Sequence, residues 1–545
     1  MSPLHYGDHK LDLVSGRTVF DYADDLQVRV PTSCRRSGEC HECIVQIVRG
    51  GEALTAATQA EKFLREGYRL ACQAQVLDAG ATIEFALLRR RPRILTQTVR
   101  RHAPVEPLTR LQGANVVFDG STIDTYRGGI YGLAVDLGTT TIALNLVDLE
   151  NGAVLHTASF ENPQRFGGSD IMRRISYDGG PYRGELHNSV IAGLNYEIRE
   201  LSRLTGVPRR QIYEVVIVGN AAMRDLCFGL DIQSIGEKPY QSVTQLEMER
   251  GERVDTVLNF QARDLGLRVH PAANLYGGPL IGCHVGADVA ADLLAVGMDQ
   301  EEDVVMLVDV GTNTEVVVGN RHGMMAASCP AGPAFEGGEI TFGMPGYEGA
   351  IESVELRNGE VIWRTIGGAA PEGICGSGLI DLLAELLRVE DMNYLGVLAG
   401  GLDRFTIPGE RGIFLSRADI SALAQAKAAN YSGQWIVLRK YGISPVQLKR
   451  LYLAGGFANY VNVDNAMSIG FIPPLPQGRV AKVGNSALEG ATLMLTSRTL
   501  RRRLEEMVTR IEHIELETTE DFFDIFVEGC LFQAMPGQLD SDPSS

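Results

Sequence analysis

The sequence predicts an α+β protein of several domains. A small β-rich N-terminal domain with a cysteine cluster is followed by a linker and a two-lobed α/β core. Three observations predict this. A strand–turn–strand unit at Tyr131–Gly152, YGLAVDLGTTTIALNLVDLENG, is repeated at Val305–Gly319 as VMLVDVGTNTEVVVG, and one unit used twice points to two similar lobes. Four of the nine cysteines, Cys34, Cys40, Cys43 and Cys72, fall near the N-terminus. A length of 545 residues with 45% apolar content supports three or four domain-sized units around a large core.

A formal net charge of −18 argues against non-specific nucleic-acid binding. No run approaches the ~18 to 20 apolar residues of a membrane span, and MSPLHYGDHK lacks a secretory h-region. The expectation is a cytoplasmic chain with neither nucleic acid nor membrane among its partners. Its cysteines are expected to be reduced thiols or ligands.

The first element is residues 1–90. Cys34, Cys40 and Cys43 share one loop, PTSCRRSGECHECIVQIV, in a C-x5-C-x2-C spacing, and Cys72 follows in YRLACQAQV. Four thiolates are what a [2Fe–2S] cluster requires. Strand-like pieces at 10–13, 17–20, 44–48 and 82–86 suit a β-grasp domain, and the segment resembles [2Fe–2S] ferredoxins. Three other readings stand beside it. A four-cysteine zinc site calls for paired C-x2-C knuckles, of which only Cys40–Cys43 exists. A Rieske centre needs two histidines, and His41 is single. Isolated structural cysteines are the third. Ferredoxin loops of this kind are usually glycine-rich; here only Gly38 remains, with Glu39 and Glu42 beside the ligands. Negative charge there is expected to lower the cluster potential.

The second element, 91–129, opens on the run RRRPR (89–93) and reads as a solvated, mobile linker with a helix in its middle, or as a docking strip for an acidic surface.

The core is divided into 130–290 and 291–530. In its first unit, Gly138 brings the backbone near a ligand, Thr139, Thr140 and Thr141 offer N–H groups and hydroxyls to phosphate oxygens, and Asp136 can hold hydrated Mg²⁺. Asp309, Gly311, Thr312 and Asn313 match them in the second unit. A duplication without phosphate binding remains the plainer alternative. Further along, Asp170 is a candidate helix cap, 189–204 has helical periodicity, and Asn220 follows a strand. The stretch CPAGPAFEGGEITFGMPGYEGA (329–350) is a candidate active-site loop. Gly376 and Ser377 open an apolar helix whose N-terminus suits an anion. Ser416 with Asp419 forms a capping-box pattern. Gly455 and Gly456 end a strand where backbone can lie against adenine or ribose. Gly484, Ala487, Gly490 and Ala491 permit a close helix crossing. The tail 531–545 is expected to be disordered. The chain has no Gly-Lys pair and hence no Walker loop, and no dinucleotide fingerprint.

Asp136-Leu-Gly-Thr-Thr, Asp309-Val-Gly-Thr-Asn and Leu453-Ala-Gly-Gly-Phe-Ala resemble, in that order, the two phosphate motifs and the adenosine motif of the actin, sugar-kinase and heat-shock-chaperone ATPases. With the ferredoxin segment, NPQ-x-FG-x-x-D-I, VGN, DVGTNTE and GICGSG, the whole is similar to the reductive activators of corrinoid proteins. The resemblance implies ATP-dependent reduction of inactive cobalt(II) to cobalt(I) in a corrinoid methyltransferase protein. It implies an electron passing through a cluster held by Cys34, Cys40, Cys43 and Cys72, MgATP between the lobes with Asp136 and Asp309 at the metal and water, and a homodimer. The donor, a ferredoxin or a flavoprotein, is left open. Activation of another low-potential or radical enzyme, and an actin-fold small-molecule kinase, are the alternative functions.

Overall fold

The computed structural model describes residues 3–7, 9–88, 101–282, 284–409, 411–456 and 458–538. The N-terminal domain is a five-stranded mixed sheet in the order His9–Asp12, Pro3–Tyr6, Ile83–Leu87, Ile44–Arg49, Tyr68–Leu70. The first and last segments of the domain pair in parallel at its centre, so the cysteine loop is bracketed by central strands. The piece 17–20 is not a strand. Thr18 and Asp21 form a reciprocal cap (Asp21 N–H to Thr18 Oγ1 3.1 Å, Thr18 N–H to Asp21 Oδ2 2.9 Å) and start the helix Val19–Asp25. Two satisfied terminal N–H groups outweigh the β-propensity of Val19 and Phe20.

The linker expectation needs correction over its described part; 89–100 lie outside the described residues. In place of a helix, Thr109–Gln112, Asn115–Phe118 and Ser121–Thr125 form a three-stranded antiparallel sheet. Asp119 and Gly120, both at positive φ, make its second turn, and Asp-Gly is the dipeptide that this turn selects. The segment is also docked. Thr109 donates to Glu214 (2.6 Å), which Arg501 holds from the other side (2.5 Å), and Glu106 N–H bonds the Thr496 carbonyl.

The two lobes repeat one topology. The first sheet runs Val154–Glu161, Thr141–Asp148, Tyr131–Leu137, Ile212–Val218, Asn274–Gly277, with Leu258–Gln261 on the edge. The second runs Gly323–Cys329, Thr314–Asn320, Val305–Val310, Arg450–Ala454, Val480–Gly484, with Ile511–His513 on the opposite edge. Each is a three-strand antiparallel meander whose first strand pairs in parallel with a later one. Both turns after the acidic residues therefore emerge at corresponding ends.

The lobes meet through two helices, Ala287–Val296 and Ser486–Thr496. A cut at 290 falls inside the first, so that boundary does not follow the secondary structure. A Cβ on Gly490 would lie 2.0 Å from the Ala291 carbonyl oxygen. Gly490→Ala is expected to force the helices apart and destabilise the chain by at least about 2 kcal/mol, measured as a lower urea midpoint. At the C-terminus the tail expectation also needs correction. Phe532 and Met535 are buried, and Phe532 N–H bonds the Tyr394 carbonyl. Apolar burial orders 531–538, and 539–545 lie outside the described residues.

Candidate cluster loop and nucleotide cleft

The four N-terminal cysteines converge. Cys43 Sγ and Cys72 Sγ are 3.4 Å apart, and Gln73 Nε2 donates to Cys72 Sγ at 3.4 Å. The Cys43 thiol donates to Cys72, which raises its own pKa well above the usual thiol value and brings Cys72 down to about 7. Burial pushes Cys34 up, but hydrogen bonds from Ser37, Cys40 and the Gly38 backbone outweigh it and set it at about 6. A site that favours thiolates is what an iron–sulfur cluster requires.

The missing loop glycines have a structural answer. Arg35, Arg36 and His41 take positive φ themselves, a conformation that curls N–H groups into anion-binding nests and costs about 1 kcal/mol per non-glycine residue. Arg36 is held by ion pairs to Asp21 and Asp24 and lies 4.0 Å over the Phe20 ring. His41 is held between Glu185 (3.1 Å) and the Phe63 ring. Gly38 takes φ +87°, where glycine costs least, and a Cβ there would come within 3.0 Å of the Gln73 side-chain amide.

Between the lobes lies a cleft lined by Asp136, Gly138 and Thr139–Thr141 from the first unit and by Asp309, Gly311, Thr312 and Asn313 from the second. Gly376, Gly455 and Gly456 also line it. Ser377 does not; its hydroxyl donates to the Glu352 carbonyl (2.8 Å). Gly138 is needed for its turn, because a Cβ would sit 2.5 Å from the Thr141 carbonyl oxygen. At Gly311 the same test finds only ordinary contact. Gly455, at φ +110°, lets the strand end approach the Val310 carbonyl, while Gly456 faces open space.

The first turn is fixed from behind. Asn162 Nδ2 donates to the Gly138 carbonyl (2.8 Å), Asn220 Nδ2 to Thr139 Oγ1 (3.2 Å), and the buried Arg174 to the Thr139 carbonyl (2.7 Å). NPQ-x-FG-x-x-D-I and VGN are thus supports of the first turn.

Sequence reasoning missed most of the cleft's charge. Asp288 and Asp292, one turn apart on the helix Ala287–Val296, face it with Glu315, Glu336 and Asn485. Two acids in an otherwise small and apolar helix were the available signal. Asn485 donates to Asp136 (2.7 Å), and Ser486 to Asp292 (2.5 Å). Glu336 accepts from Thr140 (3.3 Å) and from Thr312, so one carboxylate ties both turns. Desolvation, with neighbouring negative charge, raises Asp136 and Asp288 to about 7. Burial raises Asp309 to about 6 against an opposing hydrogen bond from Asp292. Among the described lining residues none is Lys or Arg. A polyphosphate can enter such a site only with cations that offset the carboxylates. The lining also includes apolar side chains, Phe335, Met344 and Ile366, the last two packed together by Cys375. Among the described residues no three His, Cys, Asp or Glu side chains close on a point that holds a single metal ion. A two-iron cluster spreads its ligands over two centres, and Mg²⁺ keeps several waters, so neither needs one.

Residues 6–77 match the 2Fe-2S iron-sulfur cluster binding domain, 131–301 the RACo middle region, and 303–539 the C-terminal domain of RACo, the ASKHA domain. The chain is 31% identical over 457 residues to the corrinoid activation enzyme RamQ of Eubacterium limosum, covering 78% of this chain and 74% of that one. This chain belongs to the family of corrinoid-protein reductive activators. A Methanosarcina barkeri reductase of the Co(II) methylated amine-specific corrinoid protein is 22% identical over 442 residues, with 73% and 76% covered. The solved structure of a reductive activator for corrinoid, iron-sulfur protein superposes with a TM-score of 0.71 at 26% identity, covering 100% of both chains. In family terms the N-terminal sheet is the [2Fe–2S] domain, the first lobe is the middle region, and the second lobe belongs to the ASKHA ATPase domain. No helix among the described residues is long and apolar enough to cross a membrane.

Proposed function

We propose that this activator reduces the cobalt(II) form of a corrinoid methyltransferase protein to cobalt(I), one electron per event, and couples that step to MgATP in the interlobe cleft. The observation that carries the reading is the joining, in one chain, of four converging thiols with a cleft whose two acid–glycine–threonine turns face each other. A bound [2Fe–2S] cluster supplies one-electron transfer between an external donor, a ferredoxin or a flavoprotein, and the cobalt. Cys34, Cys40, Cys43 and Cys72 hold it as thiolates, with Gln73 donating to Cys72. In the cleft, Gly138–Thr141 and Gly311–Asn313 receive phosphate oxygens, and Asp136 and Asp309 hold Mg²⁺ and orient the attacking water. The backbone at Gly455 and Gly456 receives the adenine or ribose. Gly376 adds a helix N-terminus. Joining of the lobes around the nucleotide follows the usual hinge logic. A homodimer and a cytoplasmic setting belong to the same reading.

The decisive experiment is an anaerobic visible spectrum of the protein with a cobalt(II) corrinoid protein and a reductant, with and without ATP. Cobalt(I) absorption that depends on ATP is expected; its absence beside an intact cluster and active ATP hydrolysis points to a different client. The glutamates next to the ligands also have an expected effect. Glu39 is exposed and Glu42 half-buried, accepting from Ser33 at 2.6 Å. Solvent screens such charges, so Glu39→Gln with Glu42→Gln raises the cluster potential by only roughly tens of millivolts. An unchanged midpoint in a spectroelectrochemical titration refutes this.

A further inference from the structure

The segment that braces the first phosphate turn is also the seat of the cluster domain. On one side Asn162 and Arg174 hold the Gly138 and Thr139 carbonyls. On the other, Phe166 meets the Phe63 ring edge-on at 5.5 Å, and Tyr177 packs on Phe166 at 5.6 Å. Tyr177 also donates its hydroxyl to the Phe63 carbonyl (2.6 Å). Phe63 in turn stacks on His41 (centroids 4.2 Å apart), and Glu185 reaches the His41 ring at 3.1 and 3.2 Å. His41 lies between Cys40 and Cys43 in the chain.

We propose that the segment 162–177 is a mechanical link: it makes the seating of the cluster loop depend on nucleotide at the first phosphate turn. The inference rests on the nucleotide reading above. Its physical basis is the lack of slack along the path. Arg174 is fully buried, and its guanidinium is committed to Thr139, Gly168 and Gln164. Gln164 is itself tied to the Leu186 carbonyl (3.1 Å), at the start of the helix that carries Glu185. Phe166 is fully buried too. Close-packed groups of this kind move as units and do not absorb displacement locally. A phosphate that draws on Thr139 therefore shifts Arg174, its helix and the Phe63 seat together. Linkage makes the effect reciprocal: undocking the cluster domain alters nucleotide affinity by the same factor.

The test is hydrogen exchange by mass spectrometry on the full chain with its cluster, with and without a non-hydrolysable ATP analogue and Mg²⁺. The expected result is protection of amides 137–141 and 310–313, together with a change of about fivefold or more in exchange at 33–43 and 60–66. In the double variant Tyr177→Phe, Glu185→Gln, the distal change is expected to shrink while protection of both turns persists. The analogue's Kd is expected to shift as well. Protection at the turns with no change at 33–43 and 60–66 in the parent overturns the link and leaves the nucleotide site standing. No protection at either turn overturns the nucleotide reading and the link with it.

Discussion

Cys72→Ala is expected to yield a chain that folds and hydrolyses ATP but lacks the visible absorption and reduced-state paramagnetic signal of a [2Fe–2S] cluster, and that reduces no cobalt(II). Cys72 lies outside the loop that holds the other three thiols, and its sulfur is the one that the Cys43 thiol and Gln73 both reach. Alanine removes the proposed fourth ligand, and the other described cysteines (Cys227, Cys329, Cys375 and Cys530) lie elsewhere in the fold and cannot replace it. The sheet keeps its core of Leu4, Val45, Leu70, Ile83 and Phe85, all buried, so the loss reads as chemistry and not as unfolding. Retained cluster absorption in this variant removes Cys72 from the ligand set.

The second large effect is at Asp309. Asp309→Asn keeps the side-chain shape and removes the charge assigned to Mg²⁺ and water. ATP hydrolysis and ATP-dependent cobalt reduction are expected to fall by about 10²–10³-fold, the usual cost of removing one preorganised electrostatic group, with the cluster spectrum unchanged. Full cobalt reduction under ATP in this variant ends the coupling role.

The same substitution has a stability signature of opposite sign. Burial raises the Asp309 pKa to about 6, so between its unfolded value near 3.8 and about 6 the folded chain binds more protons than the unfolded one. Parent stability from this group therefore falls as pH rises through that window. At pH 8 the nucleotide-free Asp309→Asn chain is expected to melt at a higher temperature than the parent, and the gap is expected to close as pH drops from about 6 to about 4. Equal melting temperatures at pH 8 would remove the assigned desolvation penalty.

By itself the sequence determined the lobes, the order of their turns and the set of four N-terminal thiols. These depend on local, periodic features: apolar strands around an acid–glycine–threonine turn, a capping box at Ser416 and Asp419 that does start the helix Arg417–Tyr441, and small residues where helices cross. At 17–20 two local signals compete, β-propensity and a reciprocal cap, and the cap wins. The connector sheet was legible in its Asp119–Gly120 turn but was masked by the basic run before it. Only the tertiary structure brought Asp288, Asp292, Glu315 and Glu336 to the cleft, turned Ser377 away from it, and seated His41 against Glu185, 144 positions along the chain. A carboxylate in a helix or a ring in a loop carries no sign of what it will face. That is set by how the sheets and helices pack, and packing joins residues that no sequence period relates.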